Sequence, residues 1–184
     1  NLVLEEGDMP QELANAFKGV ERNQNPWGIG SDQRMDWIDE DTPVLDEDDP
    51  IEFEYLFFVG CAGAYDNRCQ KQSHALLKVM KAAGVKVAIA PEEVCCGDPA
   101  RRLGEETLFR GLAGKNIGKL EQYGVKKIVT LCPHCLNTLK NEYPELRYRA
   151  EVIHATEFVM NLIRENRITM KYPVADRMTI HDAC

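Results

Sequence analysis

Short apolar runs alternate with amphipathic stretches along most of this chain. EYLFFVG at residues 54–60 is an unbroken apolar block of strand length, the pattern of a strand covered on both faces. In NRCQKQSHALLKVMKAAG (67–84), Leu76, Leu77, Met80 and Ala83 recur at helical spacing and Gly84 supplies a C-cap. VKVAIA (85–90) predicts a second strand. Residues 99–123 predict a helix, broken near Gly111–Gly114 and closed by Gly124, and VKKIVTL (125–131) a third strand. PHCLNTLKNEY (133–143) predicts a short helix with Pro133 in its first turn. AEVIHA (150–155), TEFVMNLIREN (156–166) and RMTIHDA (177–183) complete the series as strand, helix and strand. Such alternation predicts an α/β fold, a Rossmann-like parallel sheet with helices on both faces.

The first 50 residues follow a different pattern. MPQELANAFKGVERN (9–23) predicts one helix with Pro10 near its start, NPWGIG (25–30) is turn chemistry, and DEDDP (46–50) reads as a charged, solvated linker. Both tryptophans, Trp27 and Trp37, lie in this stretch and are expected to pin it to the sheet domain. Charge follows the same division. The chain carries −8 overall, but residues 1–50 hold 14 acidic and 3 basic side chains, a net of −11. Residues 51–184 hold 16 acidic and 19 basic, a net of +3. The predicted organisation is an acidic extension, 1–50, and a cysteine-rich domain, 51–184. Nothing in this balance makes a nucleic-acid surface, so no nucleic-acid partner is expected. A mean hydropathy of −0.37, with no apolar run of membrane-span length, reads as a soluble domain. A basic leader and a signal-peptide core are both missing from NLVLEEGDMP.

The chemistry lies in the cysteines. There are seven: Cys61, Cys69, Cys95, Cys96, Cys132, Cys135 and Cys184. An odd number without a secretion signal argues for metal or redox chemistry in a reducing compartment rather than a disulfide framework. Cys61 follows the first strand, Cys95 and Cys96 the second, and Cys132 the third, with Cys135 about one helical turn further on. In a parallel sheet all carboxyl ends share one edge, where open α/β sheets build their sites. Five sulfurs should therefore converge. Structural zinc or a cubane iron–sulfur cluster uses four thiolates, leaving one over. Adjacent side chains such as Cys95 and Cys96 diverge and reach two atoms of a cluster more easily than one ion. Helix N-termini after Gly97 and at Pro133 offer N–H groups to sulfur, and Arg101 and Arg102 could offset thiolate charge.

The full pattern is Cys61, then Cys95-Cys96-Gly97, then Cys132-Pro133-His134-Cys135. It resembles the cysteine-rich CCG domain family over about residues 55–184. That family includes the disulfide-reducing subunit of heterodisulfide reductase and iron–sulfur subunits of lactate, glycolate and anaerobic glycerol-3-phosphate oxidising enzymes. GCAGAYDNR, CCGDPARRLGEETLF and NPWGIGSDQRMDW are most similar to its electron-transfer-flavoprotein-associated iron–sulfur oxidoreductases. The resemblance implies that Cys61, Cys95, Cys96, Cys132 and Cys135 ligate one iron–sulfur cluster of the 4Fe-4S class, cubane or non-cubane, with zinc as a substitute after cluster loss. It implies an oxidoreductase passing electrons between a flavoprotein or ferredoxin-like cluster and quinone or a disulfide. The implied partners are an electron-transfer flavoprotein or other flavin dehydrogenase, together with ferredoxin-like and membrane regions of a parent chain. That places the domain in the cytoplasm at the inner face of the membrane. TIHDAC (179–184) resembles the start of a second motif copy, so the chain reads as a fragment of a larger protein.

Two other classes remain open on the residues alone. One is a zinc-stabilised scaffold. The other is a thiol–disulfide oxidoreductase using CPHC, whose helix N-terminus favours a lowered thiol pKa. The remaining candidates read more simply. Cys69 is a plain thiol, His134 sits between two cysteines without ligating, and His154 and His181 are hydrogen-bonding residues near strand ends. His74 lies on a helix surface, Asp98 caps a helix, and Tyr65 and Asp66 form the turn after Cys61.

Overall fold

The structure, a computed structural model, describes residues 10–172 except Pro50, and beyond them Ala175 and Thr179. The expected fifth strand, all but Thr179, lies outside the described residues, as do His181 and Cys184.

Four strands form one sheet: β1 (Tyr55–Phe58), β2 (Val87–Ala88), β3 (Lys127–Thr130) and β4 (Glu151–His154). They are all parallel, in the order β2-β1-β3-β4. Register pairs Leu56 with Ala88 on one side and with Ile128 on the other, and Thr130 with His154. The continuous apolar run at β1 has a direct cause, since both faces of the strand are buried. Leu56 and Phe58 point into one core with Ile128, Phe109, Leu120 and Tyr143. Phe57 and Val59 point into the other with Val129, Leu76, Met80, Phe158 and Leu162.

Helix α1 (Gln11–Asn23) precedes the sheet. A short α2 (Gly60–Tyr65) and then α3 (Asn67–Ala82) follow β1. Asp66 separates them and caps α3, its carboxylate accepting from the Arg68 and Cys69 N–H groups. After β2 come α4 (Asp98–Arg102) and α5 (Glu106–Gln122). The helix break expected near Gly111–Gly114 falls instead at Gly104, where φ is +89°. Gly111 and Gly114 lie inside α5, since a lone glycine weakens a helix without ending it. After β3, α6 (Pro133–Asn137) runs through a π-turn at Thr138–Glu142 into a 3-10 turn at Tyr143–Leu146. Helix α7 (Ala155–Arg164) follows β4. Thus α5 and the α6 segment cover one face, and α3 and α7 the other.

The acidic extension is built into this body. Trp37 is buried against the α3–α7 core and packs edge-on to His74, with ring centroids 5.2 Å apart. Trp27 does not pin the extension as expected, for it is 54% exposed. Asn25 does that local work: its amide donates to the Asn23 and Ile29 carbonyls and its oxygen accepts from the Trp27 and Ile29 N–H groups. Further on, Leu45 and Ile89 take part in backbone hydrogen bonds around a parallel bridge at Val44, so residues 43–45 run beside β2. The expected solvated linker is partly tied down as well, through Glu47 to Lys119 at 2.6 Å.

The two tryptophans should therefore separate in stability. Trp37→Ala is expected to cost about 3–5 kcal/mol, while Trp27→Ala stays within about 0.5 kcal/mol of the parent. Urea unfolding followed by far-UV circular dichroism measures both.

Candidate metal centre

In a 2-1-3-4 sheet the connections leave β1 and β3 in opposite directions, which opens a crevice at their carboxyl ends. Cys61 enters it from α2, immediately after β1. Cys132 and Cys135 enter from the start of α6, after β3. Cys95 and Cys96 come from the loop between β2 and α4. Cys61, Cys95, Cys96 and Cys135 are buried and Cys132 is partly so. They stand in a row, Cys61 beside Cys95, Cys95 beside Cys96, Cys96 beside Cys135, and Cys135 beside Cys132.

The backbone leaves room for these sulfurs in a way that the side-chain pattern alone does not reveal. Gly60 has φ +72°, and a Cβ there would lie 3.0 Å from the Cys135 sulfur and 3.7 Å from the Cys132 Cβ. Gly97 has φ +93°, and a Cβ would meet the Phe109 ring at 2.7 Å. Both glycines combine a left-handed turn with a close approach, so neither position accepts a side chain without distortion.

The site's electrostatics come from neighbouring thiols and backbone donors. The Cys132 thiol is lowered to about 6, first by the Cys135 thiol beside it, against a burial effect, and then by the N–H groups of Cys135 and His134 at the start of α6. Cys96 is also lowered, by the Cys135 and Cys95 thiols and by the Asp98 N–H. Cys135, placed between two sulfurs that ionise first, is raised. Cys61 is raised by Cys95 and by burial. Cys95 is pushed up to about 12: the Cys61 thiol lowers it, but Cys96 and burial outweigh that effect. The helix starts therefore do aim N–H groups at sulfur, as their sequence positions imply.

The structure assigns other roles to several candidates. Arg101 and Arg102 do not offset thiolate charge; they pair with carboxylates. Arg101 reaches Glu106 at 3.2 Å and Glu145 and stacks over Phe109 at 4.6 Å, while Arg102 reaches Asp98 at 3.4 Å and Glu142. Asp98 is not a helix cap, since Gly97 holds that position. The buried Asp98 carboxylate instead contacts His134 Nδ1 at 3.0 Å and Thr138 Oγ1 at 3.4 Å. His134 makes this contact from the surface, with 63% of its side chain exposed. His154 is satisfied by the Leu131 carbonyl and by Thr156. Cys69 lies on α3, its thiol raised by burial and by Asp66, with a smaller contribution from Cys132.

Two sets of residues around the thiols are not apparent from motif spacing. Asn116 on α5 accepts from the Val94 N–H at 3.0 Å and donates to the Val94 and Cys95 carbonyls and to Tyr143 Oη. Tyr143 in turn donates to the Cys96 carbonyl at 3.1 Å. Together these two side chains hold the backbone of the paired cysteines. The second set comes from the extension. The Gln24 carbonyl accepts from the Cys95 N–H at 3.1 Å, and Arg34 reaches both Cys61 and Glu93. Tyr65 Oη is buried nearby with no hydrogen-bond partner among the described residues. Neither set carries a motif: Asn116 shows only as a polar residue within a helix, and Gln24 and Arg34 lie in a polar, largely acidic stretch.

Five buried or half-buried thiols, two of them held toward thiolate, an unpartnered hydroxyl and a backbone kept free of side chains suit a soft-metal group rather than a packed core. Among the described residues, no group of three or more His, Cys, Asp or Glu side chains surrounds a single point as ligands of one metal ion. The larger clefts, of about 730 Å³ beside α3 and about 620 Å³ between α1 and α5, hold no cysteine.

A doubly wound parallel sheet with cysteines gathered at its switch point defines the class, a cysteine-rich α/β domain. Residues 55–140 match the Cysteine-rich domain family, and this part of the chain belongs to that CCG family. It is 43% identical, over its whole length, to "EtfAB:quinone oxidoreductase" of Syntrophomonas wolfei, of which it covers 26%. It is also 43% identical over its whole length to "Probable iron-sulfur-binding oxidoreductase FadF" of Bacillus subtilis, covering 27%. Over 99% of the chain it is 31% identical to one subunit of the dihydromethanophenazine:CoB–CoM heterodisulfide reductase of Methanosarcina barkeri, covering 45% of that subunit. The chain thus spans about a quarter of the first two relatives and under half of the third. No solved structure matches it.

Two measurements test this geometry. Asn116→Ala strands the Val94 N–H and the Val94 and Cys95 carbonyls in a buried position, and is expected to cost about 3 kcal/mol in urea unfolding. In metal-free, reduced protein, alkylation of Cys132 should rise through pH about 6 and then level off, whereas Cys69 reacts only at higher pH. Folding lowers the Cys132 pKa from 9.0 to about 6, so the unfolded chain binds the extra proton between those values. The stability from this thiolate is complete above pH 9 and is lost as pH falls through 6. Peptide-resolved alkylation and urea midpoints across this range measure the two effects.

Proposed function

We propose that this chain is an iron–sulfur electron-transfer domain of an oxidoreductase, with Cys61, Cys95, Cys96, Cys132 and Cys135 as the ligands of one four-iron cluster. The observation that carries this reading is the row of five thiols at the sheet's switch point. A row offers sulfur to several metal atoms at once, whereas a shell of four encloses one ion. The diverging pair Cys95–Cys96 suits ligation of different irons, and a non-cubane arrangement uses all five sulfurs. The iron–sulfur and oxidoreductase names of the relatives support the same class.

When bound, such a cluster supplies a one-electron redox couple. The chain's residues do the rest. Buried apolar walls from Val20, Val94 and Leu112 exclude water around Cys61 and Cys95. N–H groups of Gly97, Asp98, His134 and Cys135 hydrogen-bond the sulfurs and stabilise negative charge on them. The exposed edge at Cys132 and His134 is the point of closest approach for a redox partner. The donor in this reading is a flavoprotein of the electron-transfer type or a ferredoxin-like cluster, and the acceptor is quinone or a disulfide. Both follow from what the relatives are named for. No helix among the described residues is long and apolar enough to cross a membrane, and one relative is named a membrane-anchored ferredoxin. The proposed location is the inner face of the membrane, reached through a longer parent protein. Residues 51–184 would then be the first of two cysteine-rich copies and residues 1–50 its acidic extension.

A second reading rests on the lowered Cys132 thiol beside a protonated Cys135. In metal-free protein Cys132 would attack a disulfide and Cys135 would resolve the mixed disulfide, both thiols ending oxidised and the substrate reduced.

Protein purified without oxygen is expected to carry iron and acid-labile sulfide at about four each per chain, with a brown chromophore. Serine at any of the five cysteines should lower both, and Cys69→Ser should leave both unchanged. Zinc in place of iron in freshly prepared anaerobic protein would favour a zinc-stabilised scaffold. Disulfide reduction at full rate without iron would favour the second reading.

A further inference from the structure

The acidic extension contributes a charged side chain directly to the thiol site. Arg34 lies on a 3-10 turn, Ser31–Met35, yet is 6% exposed. Its Nη1 approaches the Cys61 sulfur at 3.8 Å, its Nη2 is ion-paired with Glu93, and its guanidinium lies 5.8 Å from the Tyr65 ring centroid. Glu93 is equally buried, and its two oxygens also accept from the Val59 N–H at 2.9 Å and the Gly60 N–H at 2.8 Å. The carboxylate thus binds the end of β1, and the guanidinium stands between it and the first cysteine.

A guanidinium is planar, keeps its charge under all ordinary conditions and can serve two acceptors at once. Glu93 alone would be satisfied by one arm and the two backbone donors. The second arm is directed at sulfur, where a charge-assisted N–H···S contact favours the state carrying more negative charge. Both ions are buried, where removing one leaves the other uncompensated close to the site.

We infer that Arg34 and Glu93 form a charge pair that sets the electron affinity of the centre held at Cys61, Arg34 raising it through its contact with sulfur and Glu93 opposing it. The inference rests on the cluster reading proposed above. Arg34 is a positioning residue, acting on the centre through Cys61, and the extension is part of the redox site through it. In the redox step one electron enters the centre from the reductant; no bond forms or breaks, and Arg34 keeps its proton.

The test is an anaerobic titration with dithionite, followed by absorbance and electron paramagnetic resonance, on protein whose iron and sulfide are assayed first. Arg34→Gln is expected to move the midpoint downward and Glu93→Gln upward, each by at least a tenfold change in the reduced-to-oxidised ratio at the wild-type midpoint, about 59 mV for one electron. Opposite signs are the signature, since a merely structural role gives both variants the same sign or none. If Arg34→Gln fails to hold iron, Arg34→Lys decides. It keeps the charge and the Glu93 partner but loses the forked reach to Cys61, so a smaller downward shift is expected. Unchanged midpoints, or shifts of one sign, in iron-loaded variants overturn the inference alone. Wild-type protein without iron and sulfide overturns the cluster reading and the inference with it.

Discussion

The buried carboxylate of Glu93 joins the parts of this protein that have to meet. It receives the last backbone donors after β1, at the point where the chain turns through Gly60 into the first cysteine. It lies two residues before the paired cysteines, so it ties their loop to the same point. It also receives Arg34 from the extension. Buried ion pairs of this type add little net stability, because desolvation consumes most of the attraction. They are specific, because no other arrangement satisfies all three groups together. The convergence of Cys61 with Cys95 and Cys96 combines these directional contacts with the hydrogen bonds of Asn116 and Tyr143 and the apolar packing of Val20, Val94 and Leu112.

The order and type of the elements were legible in the sequence because their apolar periods are clean. The β1 run is unbroken because its faces serve two cores, and the α3 stripe at Leu76 and Met80 is helical because it faces one. Convergence of the five cysteines at the sheet edge followed from parallel topology. Other features were less visible. The helix break at Gly104 rather than Gly111 depends on a left-handed backbone conformation, and composition does not distinguish that from a glycine tolerated within a helix. Asp98 occupies a capping position in sequence but is drawn to His134 and Thr138, partners from a distant segment of the chain. Asn116 and Tyr143 resemble ordinary polar residues until the cysteine loop is seen between them. Arg34 belongs to a stretch dominated by acidic residues, where composition does not mark one cation as buried.

The thiol row and its surroundings divide the work of holding charge. Sulfurs close together cannot all ionise, so without a metal the protons are shared along the row, with Cys132 and Cys96 held toward thiolate and their neighbours protonated. In the proposed cluster reading, binding would release every proton in the row. The backbone donors at two helix starts, together with one buried guanidinium, are what the fold supplies to make that release favourable in a site with little water. This arrangement links the sheet's topology to its chemistry. Only the carboxyl edge of a parallel sheet brings helix starts, strand ends and a returning loop to one place.

The short stretch at residues 43–45 has a consequence for assembly. By running alongside β2 it occupies the hydrogen-bonding groups on that margin of the sheet. Among the described residues β4 has no strand on its outer side, so a further strand finds its most open margin there. The two margins of the sheet are thus unequal, one partly covered by the chain itself and the other open among the described residues, and edge-to-edge pairing favours the open flank.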